Sequence, residues 1–135
     1  MLRVMLDTNI LFSALFYPST ETRHFFNVLL ANHRIVLCNY VSDELRRITC
    51  EKWPKRAFAA DIFLNELPYE TVNTPATWST SLIPKIRDEN DAPILAAAIL
   101  ENVDVLVTGD KDFLVLDLPK LKIMTMADFV EAFSS

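Results

Sequence analysis

Acidic side chains stand where two predicted strands of the sequence end. Asp7 directly follows a short apolar run, and both Asp110 and Asp112 follow another. In an open parallel sheet, sites form beyond the carboxyl ends of the strands, so the two strands would bring carboxylates to one edge. Gly109, the only glycine of the chain, lies in the second of these turns. We expect a close backbone approach or a positive φ there.

Glu44 is the acid of its predicted helix that we expect to face the sheet. It lies three residues after Val41 and four before Ile48, two apolar residues that mark the inward side of the helix. Asp43 instead shares a side with the neighbouring arginines and faces water. We expect the helix to begin after Ser42 as its N-cap. Glu44 then falls in the first turn, where the helix dipole would stabilise its charge.

Asp91 opens a predicted helix that is almost entirely apolar. It shares a stripe of that helix with Leu95 and Ala98. An acid at the start of so apolar a helix must be paired, capped or bound to a metal. Asp88 and Glu89 come just before it and are weaker candidates for the same site.

Each of these acids also has an ordinary structural interpretation. Asp7, Asp91 and Asp110 could be helix caps, and Glu44 could be a first-turn acid. Taken together, with no basic residue among them except Lys111, the acids would raise one another's pKa values unless a cation neutralised them. Oxygen ligands in octahedral geometry suit Mg²⁺ or Mn²⁺. Such an ion lowers the pKa of bound water and braces the oxygens of a phosphodiester, so the acids predict metal-dependent in-line hydrolysis.

The composition of the chain indicates a globular protein and narrows its chemistry. The 135 residues are 51% hydrophobic and 23% charged, which is the balance of one ordinary domain over residues 1–135. A single glycine excludes the glycine-rich loops of P-loop and dinucleotide-binding proteins. Cys38 and Cys50 form no CxxC pair and predict apolar packing rather than a zinc site. No apolar run approaches the ~20 residues that span a bilayer, and we expect a soluble, cytoplasmic protein.

One basic stretch runs against the net charge of −5, which by itself argues against a polyanionic partner. Between residues 46 and 56 the chain holds five cations and one acid, Glu51, with Trp53 among them. The five cations are Arg46, Arg47, Lys52, Lys55 and Arg56. They predict either a patch that binds nucleic-acid phosphates or the solvated end of a helix.

Short runs rich in Val, Ile and Leu alternate with helical segments and predict strands. The predicted strands span residues 3–6, 34–38, 70–72, 104–107 and 122–124. The predicted helices span residues 9–16, 19–31, 43–50, 55–67, 92–101 and 127–132. Residues 74–84, rich in Thr, Ser and Pro, predict a loop. Continuously apolar strands between helices are typical of a covered parallel sheet, so we expect an α/β fold, a three-layer α/β/α sandwich with a central parallel sheet.

Two further apolar segments offer no chemistry of their own. Residues 113–116, FLVL, follow Asp112 and predict packing in the core or, alternatively, a dimer surface. Phe16 and Tyr17, beside Pro18, are expected to be exposed near the acid site.

Four motifs, in this order and at these separations, resemble those of a PIN domain. They are LDTN at residues 6–9, SDEL at 42–45, DAPILAAA at 91–98 and LVTGDKDF at 106–113. The resemblance covers nearly the whole chain and is specifically to the VapC-like toxin nucleases of bacterial and archaeal toxin–antitoxin pairs. It implies a PIN-like fold, Mg²⁺-dependent ribonuclease activity on RNA, a homodimer, and an antitoxin partner that covers the site.

The resemblance also implies a set of metal-binding acids. Asp7, Glu44 and Asp91 would form the core triad, and either Asp110 or Asp112 would be the fourth acid. Asp7 and Asp91 would hold the principal ion, while the other acids would complete or extend its shell. Whether Asp110 or Asp112 takes the fourth place stays open.

Three polar residues resemble positions that orient the acids. Asn9 and Ser13 are similar to the residues that orient the first aspartate or a metal-bound water, and Thr108 is similar to the hydroxyl at the strand end. Asp88, before Asp91, resembles a subgroup in which several acids crowd together. One or two metal ions therefore both fit the resemblance.

Other classes of protein fit part of the pattern. A phosphoacceptor receiver domain requires an acid pair at the end of the first strand and a Lys-Pro pair after the last, but Asp7 stands alone and Ile123 follows Lys122. A haloacid-dehalogenase-like phosphatase requires Asp-x-Asp on the first strand, where this chain has Asn9 as the third residue. A non-catalytic PIN-type module that binds RNA or a protein stays open.

Overall fold

The computed structural model of the chain describes residues 1–79, 81–84, 86 and 89–134. Its strands form one sheet in the order β3-β2-β1-β4-β5, and each neighbouring pair is parallel. The strands are β1 Arg3–Leu6, β2 Arg34–Cys38, β3 Tyr69–Val72, β4 Val105–Val107 and β5 Lys122–Met124. The predicted strands and their parallel sheet are confirmed, with shifts of one residue at the starts of β3 and β4.

Helices flank the sheet, which confirms the three-layer α/β/α sandwich. The helices are α1 Thr8–Phe16, α2 Thr20–Asn32, α3 Asn39–Lys52, α4 Phe58–Glu66, α5 Ala92–Leu100, α6 Lys111–Leu114 and α7 Met126–Phe133. Short 3₁₀ turns, Pro54–Arg56 and Glu89–Asp91, precede α4 and α5. Within the described ranges no helix is long and apolar enough to cross a membrane.

The core is built from the central strands and the apolar helix α5. Val4, Met5 and Leu6 of β1 are completely buried, as expected for a strand that is covered on both faces. The three consecutive alanines at positions 96–98 of α5 are also completely buried. Complete burial of a side chain such as Leu6 stabilises the fold by about 1.5–3 kcal/mol. The strand ends that carry the acids are therefore held in place by a well-packed core.

The order of the strands reverses between β1 and β4. From β1 the chain goes to β2 and β3 on one side, and then returns to β4 and β5 on the other. Ligands of such open sheets bind outside the carboxyl ends of the strands at this switch point. Leu6 is in register with Val107, so the next residues, Asp7 and Thr108, are neighbours at the switch point.

Helix α3 begins at Asn39, so the predicted N-cap at Ser42 is wrong. The Ser42 hydroxyl lies inside the helix and donates to the Asn39 carbonyl oxygen at 3.1 Å. The loop after β3 holds the helix start instead, because Thr74 N donates to Asn39 Oδ1 at 2.7 Å and Tyr40 N donates to Thr74 Oγ1 at 3.1 Å. Glu44 consequently lies in the second turn, where the helix dipole acts more weakly.

Several local predictions also differ from the structure. The predicted helix 55–67 is divided into a 3₁₀ turn and α4, and the short helix α6 was not expected. The expectation for Gly109 is wrong, because its φ is not positive and a Cβ there would meet nothing within 4 Å. A positive φ occurs instead at Asn102, with φ 54°, just after α5. Asp88 lies outside the described residues.

Candidate active site

Asp7 ends β1 and is the most enclosed of the candidate acids, with 4% of its surface exposed. Its backbone N–H donates to the Val107 carbonyl oxygen at 3.1 Å, which extends the β1–β4 pairing by one residue. Its Oδ1 accepts a hydrogen bond from Thr8 N at 2.7 Å and so caps α1. Its Oδ2 accepts one from Thr108 Oγ1 at 2.7 Å. Both carboxylate oxygens therefore have fixed directions.

Thr108 joins Asp7 to the second acidic turn. Its buried hydroxyl donates to Asp7 and accepts a hydrogen bond from Asp110 N at 3.0 Å. Asp110 Oδ1 in turn accepts from Asp112 N at 2.9 Å and caps α6. The helix-cap interpretation is thus correct for Asp7 and Asp110, and one hydroxyl sets the relative position of their two turns.

Asp91, Asp110 and Asp112 form an acid group at the switch point. One carboxylate oxygen from each lies within 4.8 Å of the other two, and all three residues are half-buried. Asp91 comes from the 3₁₀ turn before α5, whereas the other two follow β4. Both alternatives for the fourth acid therefore approach Asp91. Asp7 and Glu44 are not members of this group, although both belong to the triad that the motifs imply.

The Asp7 carboxyl has a pKa above its ordinary value. Burial is the largest cause, and the charges of Asp110 and Glu44 add smaller repulsions. Hydrogen bonds from Thr108 and Thr8 lower the pKa without offsetting the burial. The ionised form of Asp7 therefore lies in an environment that is short of positive charge, and a bound cation would supply that charge.

Glu44 has a basic neighbour on its own helix. Its side chain is 21% exposed and that of Asp43 is 73% exposed, which confirms that Glu44 is the inward-facing acid of the pair. Arg47 Nη2 lies 3.6 Å from Glu44 Oε2, because residues three apart meet on a helix. Lys111 is therefore not the only cation among the acids, and that expectation is wrong.

Tyr40 is a residue of the site that the motifs missed. It is half-buried in the first turn of α3. Burial raises the pKa of its hydroxyl, the charges of Glu44 and Asp91 raise it further, and Arg47 lowers it. Tyr40 therefore lies near Glu44 of α3 and near Asp91, which precedes α5. Its place four residues before Glu44, on the same helix face, is the signal that could have identified it.

Helix α1 carries the other predicted polar positions. Asn9 is exposed two residues after Asp7, and Ser13 is half-buried one turn further along the same face. Thr8 is buried, and its hydroxyl has no hydrogen-bond partner among the residues that the structure describes. The roles of Asn9 and Ser13 remain predictions, while Thr108 holds Asp7 directly.

The five cations of the basic stretch divide into two kinds. Arg46 pairs with Asp43 at 3.3 Å and with Asp61 at 2.8 Å, and Arg47 pairs with Glu51 at 3.3 Å. The other three form no ion pair with any acid in the described ranges: Lys52, Lys55 and Arg56. A phosphate-binding role thus fits the second set better than the first.

The fold and the site define an α/β/α protein whose acids meet at the switch point of a parallel sheet. The strand order differs from the 2-1-3-4-5 order of receiver-type proteins, which argues against the receiver alternative. The family model of the PIN domain matches residues 3–112. The chain belongs to the PIN domain family. No curated protein sequence matches it.

Two solved structures are similar along almost their full length. VapBC2 from Rickettsia felis, bound to a DNA fragment from its promoter, matches with a TM-score of 0.71 and 25% identity, over 91% of this chain and 98% of that one. DNA-bound VapBC from Salmonella typhimurium matches with a TM-score of 0.70 and 20% identity, over 93% of this chain and 99% of that one. The second likeness shows the fold alone.

Proposed function

We propose that the chain is a divalent-metal-dependent endoribonuclease and the toxin of a toxin–antitoxin pair. The observation that carries this proposal is the acid group at the switch point. Asp91, Asp110 and Asp112 bring carboxylate oxygens within 4.8 Å of one another, next to the buried Asp7. Membership of the PIN family supports a nuclease. The acid group supports it as well, because carboxylates in such a group are ligands for the ions that assist phosphodiester hydrolysis.

The donor set fits a hard divalent cation. The group consists of carboxylate oxygens only, which suits Mg²⁺ or Mn²⁺ better than zinc, whose sites are rich in histidine and cysteine. We propose Asp91, Asp110 and Asp112 as direct ligands, with Asp7 and Glu44 completing or extending the shell. When bound, the ion would neutralise the acids, polarise the substrate phosphate and lower the pKa of a water molecule.

The residues of the chain itself prepare the site. Thr8 N and Thr108 Oγ1 fix both oxygens of Asp7, so its negative charge does not need to be reoriented when substrate arrives. Asn9 and Ser13 follow Asp7 on α1 and would orient its carboxylate or a metal-bound water. Before a cation binds, the excess negative charge of the acids would repel a phosphodiester. Substrate binding is therefore expected to follow metal binding.

The comparisons support the choice of partners. The similar structure from Rickettsia felis is a VapBC complex, and the four sequence motifs resemble those of VapC-like toxins. We therefore propose an RNA substrate, a cognate antitoxin that covers the acids, a homodimer and a cytoplasmic location. Phe113 is completely buried and Val115 is 79% exposed, so the FLVL segment contributes to the core and also presents a side chain that a second protomer could cover.

The proposed function is tested with purified protein and matched single strands of RNA and DNA in Mg²⁺, Mn²⁺ or EDTA. We expect cleavage of RNA that EDTA abolishes. Asp7→Asn should abolish cleavage and leave the fold intact, since one buried repulsion is removed. Glu44→Gln should lose activity, whereas the exposed neighbouring acid provides a matched control, Asp43→Asn, with wild-type activity.

Three results would contradict parts of this proposal. Cleavage that persists in EDTA would contradict the metal requirement, and an Asp7→Asn protein as fast as wild type would contradict the acid assignment. Binding of RNA without cleavage under any metal would favour the non-catalytic PIN-type module. Growth arrest on expression, relieved by the product of the neighbouring gene, would support the toxin role.

A further inference from the structure

Four aromatic rings form a cluster at the ends of α1 and α3. We call it the aromatic patch: Phe12, Phe16 and Tyr17 with Trp53. Phe16 stacks on Trp53 with ring centroids 4.5 Å apart and planes 15° apart. Phe12 lies 5.4 Å from Trp53, and Tyr17 meets it edge-on at 6.2 Å. Tyr17 is 60% exposed, so the patch reaches the surface.

Three cations accompany the aromatic patch. Lys52 Nζ lies 5.4 Å from the centroid of the Phe12 ring, and Arg56 Cζ lies 5.2 Å from that of Phe16. Lys55 lies between them in the sequence and is exposed. None of the three forms an ion pair with a described acid, in contrast to Arg46 and its neighbour. In a chain of net charge −5, this locally unneutralised charge is complementary to a polyanion.

The aromatic patch is continuous with the acid site along α1. Asn9, Phe12, Ser13 and Phe16 are spaced at i, i+3, i+4 and i+7 and therefore share one face of the helix. Helix α1 packs against α3, which carries Glu44 near its start and the cations near its end. At ~1.5 Å per residue, nine residues of α1 span about 14 Å. A stacked strand that rises ~3.4 Å per nucleotide along its axis covers that length with about four nucleotides.

We propose that the aromatic patch and its three cations bind the part of a single-stranded nucleic acid that lies about four nucleotides from the cleaved bond. The exposed ring of Tyr17 can stack on an unpaired base of any sequence, while the neighbouring cations bind the phosphates. A duplex offers no free base faces for this contact, so the patch selects single-stranded segments. This inference rests on the proposed function and assigns to it a binding surface outside the acid group.

The proposal is tested by binding, in the Asp7→Asn protein so that no cleavage occurs. The probe is a fluorescein-labelled single-stranded RNA of about twelve nucleotides, with its duplex for comparison. Tyr17→Ala should weaken binding of the single strand about tenfold, whereas Tyr17→Phe keeps a ring and should bind within about twofold. Lys52→Gln with Arg56→Gln should lower the salt dependence of log Kd by about 0.7 per lost phosphate contact. The matched control Arg46→Gln should leave that slope unchanged.

A second measurement separates this proposal from the proposed function. With the catalytic acids intact, Tyr17→Ala should raise KM for the long strand and leave cleavage of a dinucleotide unchanged. Wild-type protein that cuts nothing would overturn the proposed function, while the binding comparison would still decide the patch. Equal Kd values and salt slopes for all folded variants would overturn the proposed role of the aromatic patch. Variants that bind RNA normally but escape inhibition by the antitoxin would show that the aromatic patch binds a protein partner. That result would also overturn the proposal.

Discussion

Replacing Thr108 with valine would test whether one buried hydroxyl holds the two acidic turns together. Valine has nearly the shape of threonine but lacks the hydroxyl. The change removes the 2.7 Å hydrogen bond to Asp7 Oδ2 and the acceptor of the 3.0 Å bond from Asp110 N. Since Thr108 is completely buried, water cannot readily take its place.

The magnitude follows from the two lost bonds. A hydrogen bond to a charged group such as Asp7 contributes about 1.5–3 kcal/mol, and the orphaned N–H of Asp110 costs about 1 kcal/mol more. We therefore expect Thr108→Val to lower the free energy of unfolding by about 2.5–4 kcal/mol at neutral pH.

This loss should depend on pH because Asp7 carries the affected charge. Folding raises the pKa of Asp7, mainly through burial, so its ionisation costs the folded state stability. That cost is absent below the unfolded pKa, near 3.9, and is complete above the folded pKa. Loss of the Thr108 donor raises the folded pKa further. The destabilisation by Thr108→Val should therefore grow as the pH rises and shrink as it falls.

The assay is urea unfolding at about pH 5 and about pH 8. The control is Thr108→Ser, which keeps the hydroxyl and loses a methyl group worth about 1 kcal/mol. Thr108→Val should be the less stable variant by about 1.5–3 kcal/mol at the higher pH. If the two variants lost the same stability at both pH values, the hydroxyl would not hold Asp7 as argued.

Two further predictions concern parts of the fold away from the acids. His33 Nδ1 accepts a hydrogen bond from Leu2 N at 3.1 Å, and burial, with the charge of the N-terminus, lowers the pKa of His33. The contribution of His33 to stability is present above its unfolded pKa and is lost as the pH falls through its folded pKa. We therefore expect His33→Gln to flatten the pH dependence of the melting temperature below about pH 7. An unchanged pH profile would contradict this. Arg3 of β1 and Glu70 of β3 form a two-bond ion pair at 2.9 and 3.2 Å, so Glu70→Gln should lower the free energy of unfolding by about 1 kcal/mol, less at high salt. The measurement is urea unfolding at two salt concentrations, and a loss that did not change with salt would point to packing instead.

The strands were predictable because buried strands are rich in apolar residues. A strand covered on both faces is rich in apolar residues, and β1 and β2 are apolar after the arginine with which each begins. The position of Asp7 beyond β1 followed directly, since the carboxyl ends of parallel strands share one edge. The same rule placed Asp110 there. Geometry common to all parallel sheets therefore sufficed to locate this part of the site.

The start of α3 was not predictable, because a distant residue decides it. Ser42 has the side chain of an N-cap, but Thr74 supplies hydrogen bonds to Asn39 and Tyr40 that begin the helix earlier. Those partners are 35 and 34 residues apart in sequence, beyond any local signal. The early start also shifts Tyr40 to the edge of the acid site, which explains why motif spacing alone missed it.

The basic stretch shows most clearly why counting charges was insufficient. Five cations follow one another within eleven positions, and their number alone cannot show which of them are neutralised. Asp61, on α4, pairs with Arg46 only because α4 packs against α3. Lys52 and Arg56 instead lie over aromatic rings, which leave their positive charge unneutralised. The fold therefore decides which cations are neutralised, and it leaves Lys52 and Arg56 without an ion pair to any described acid.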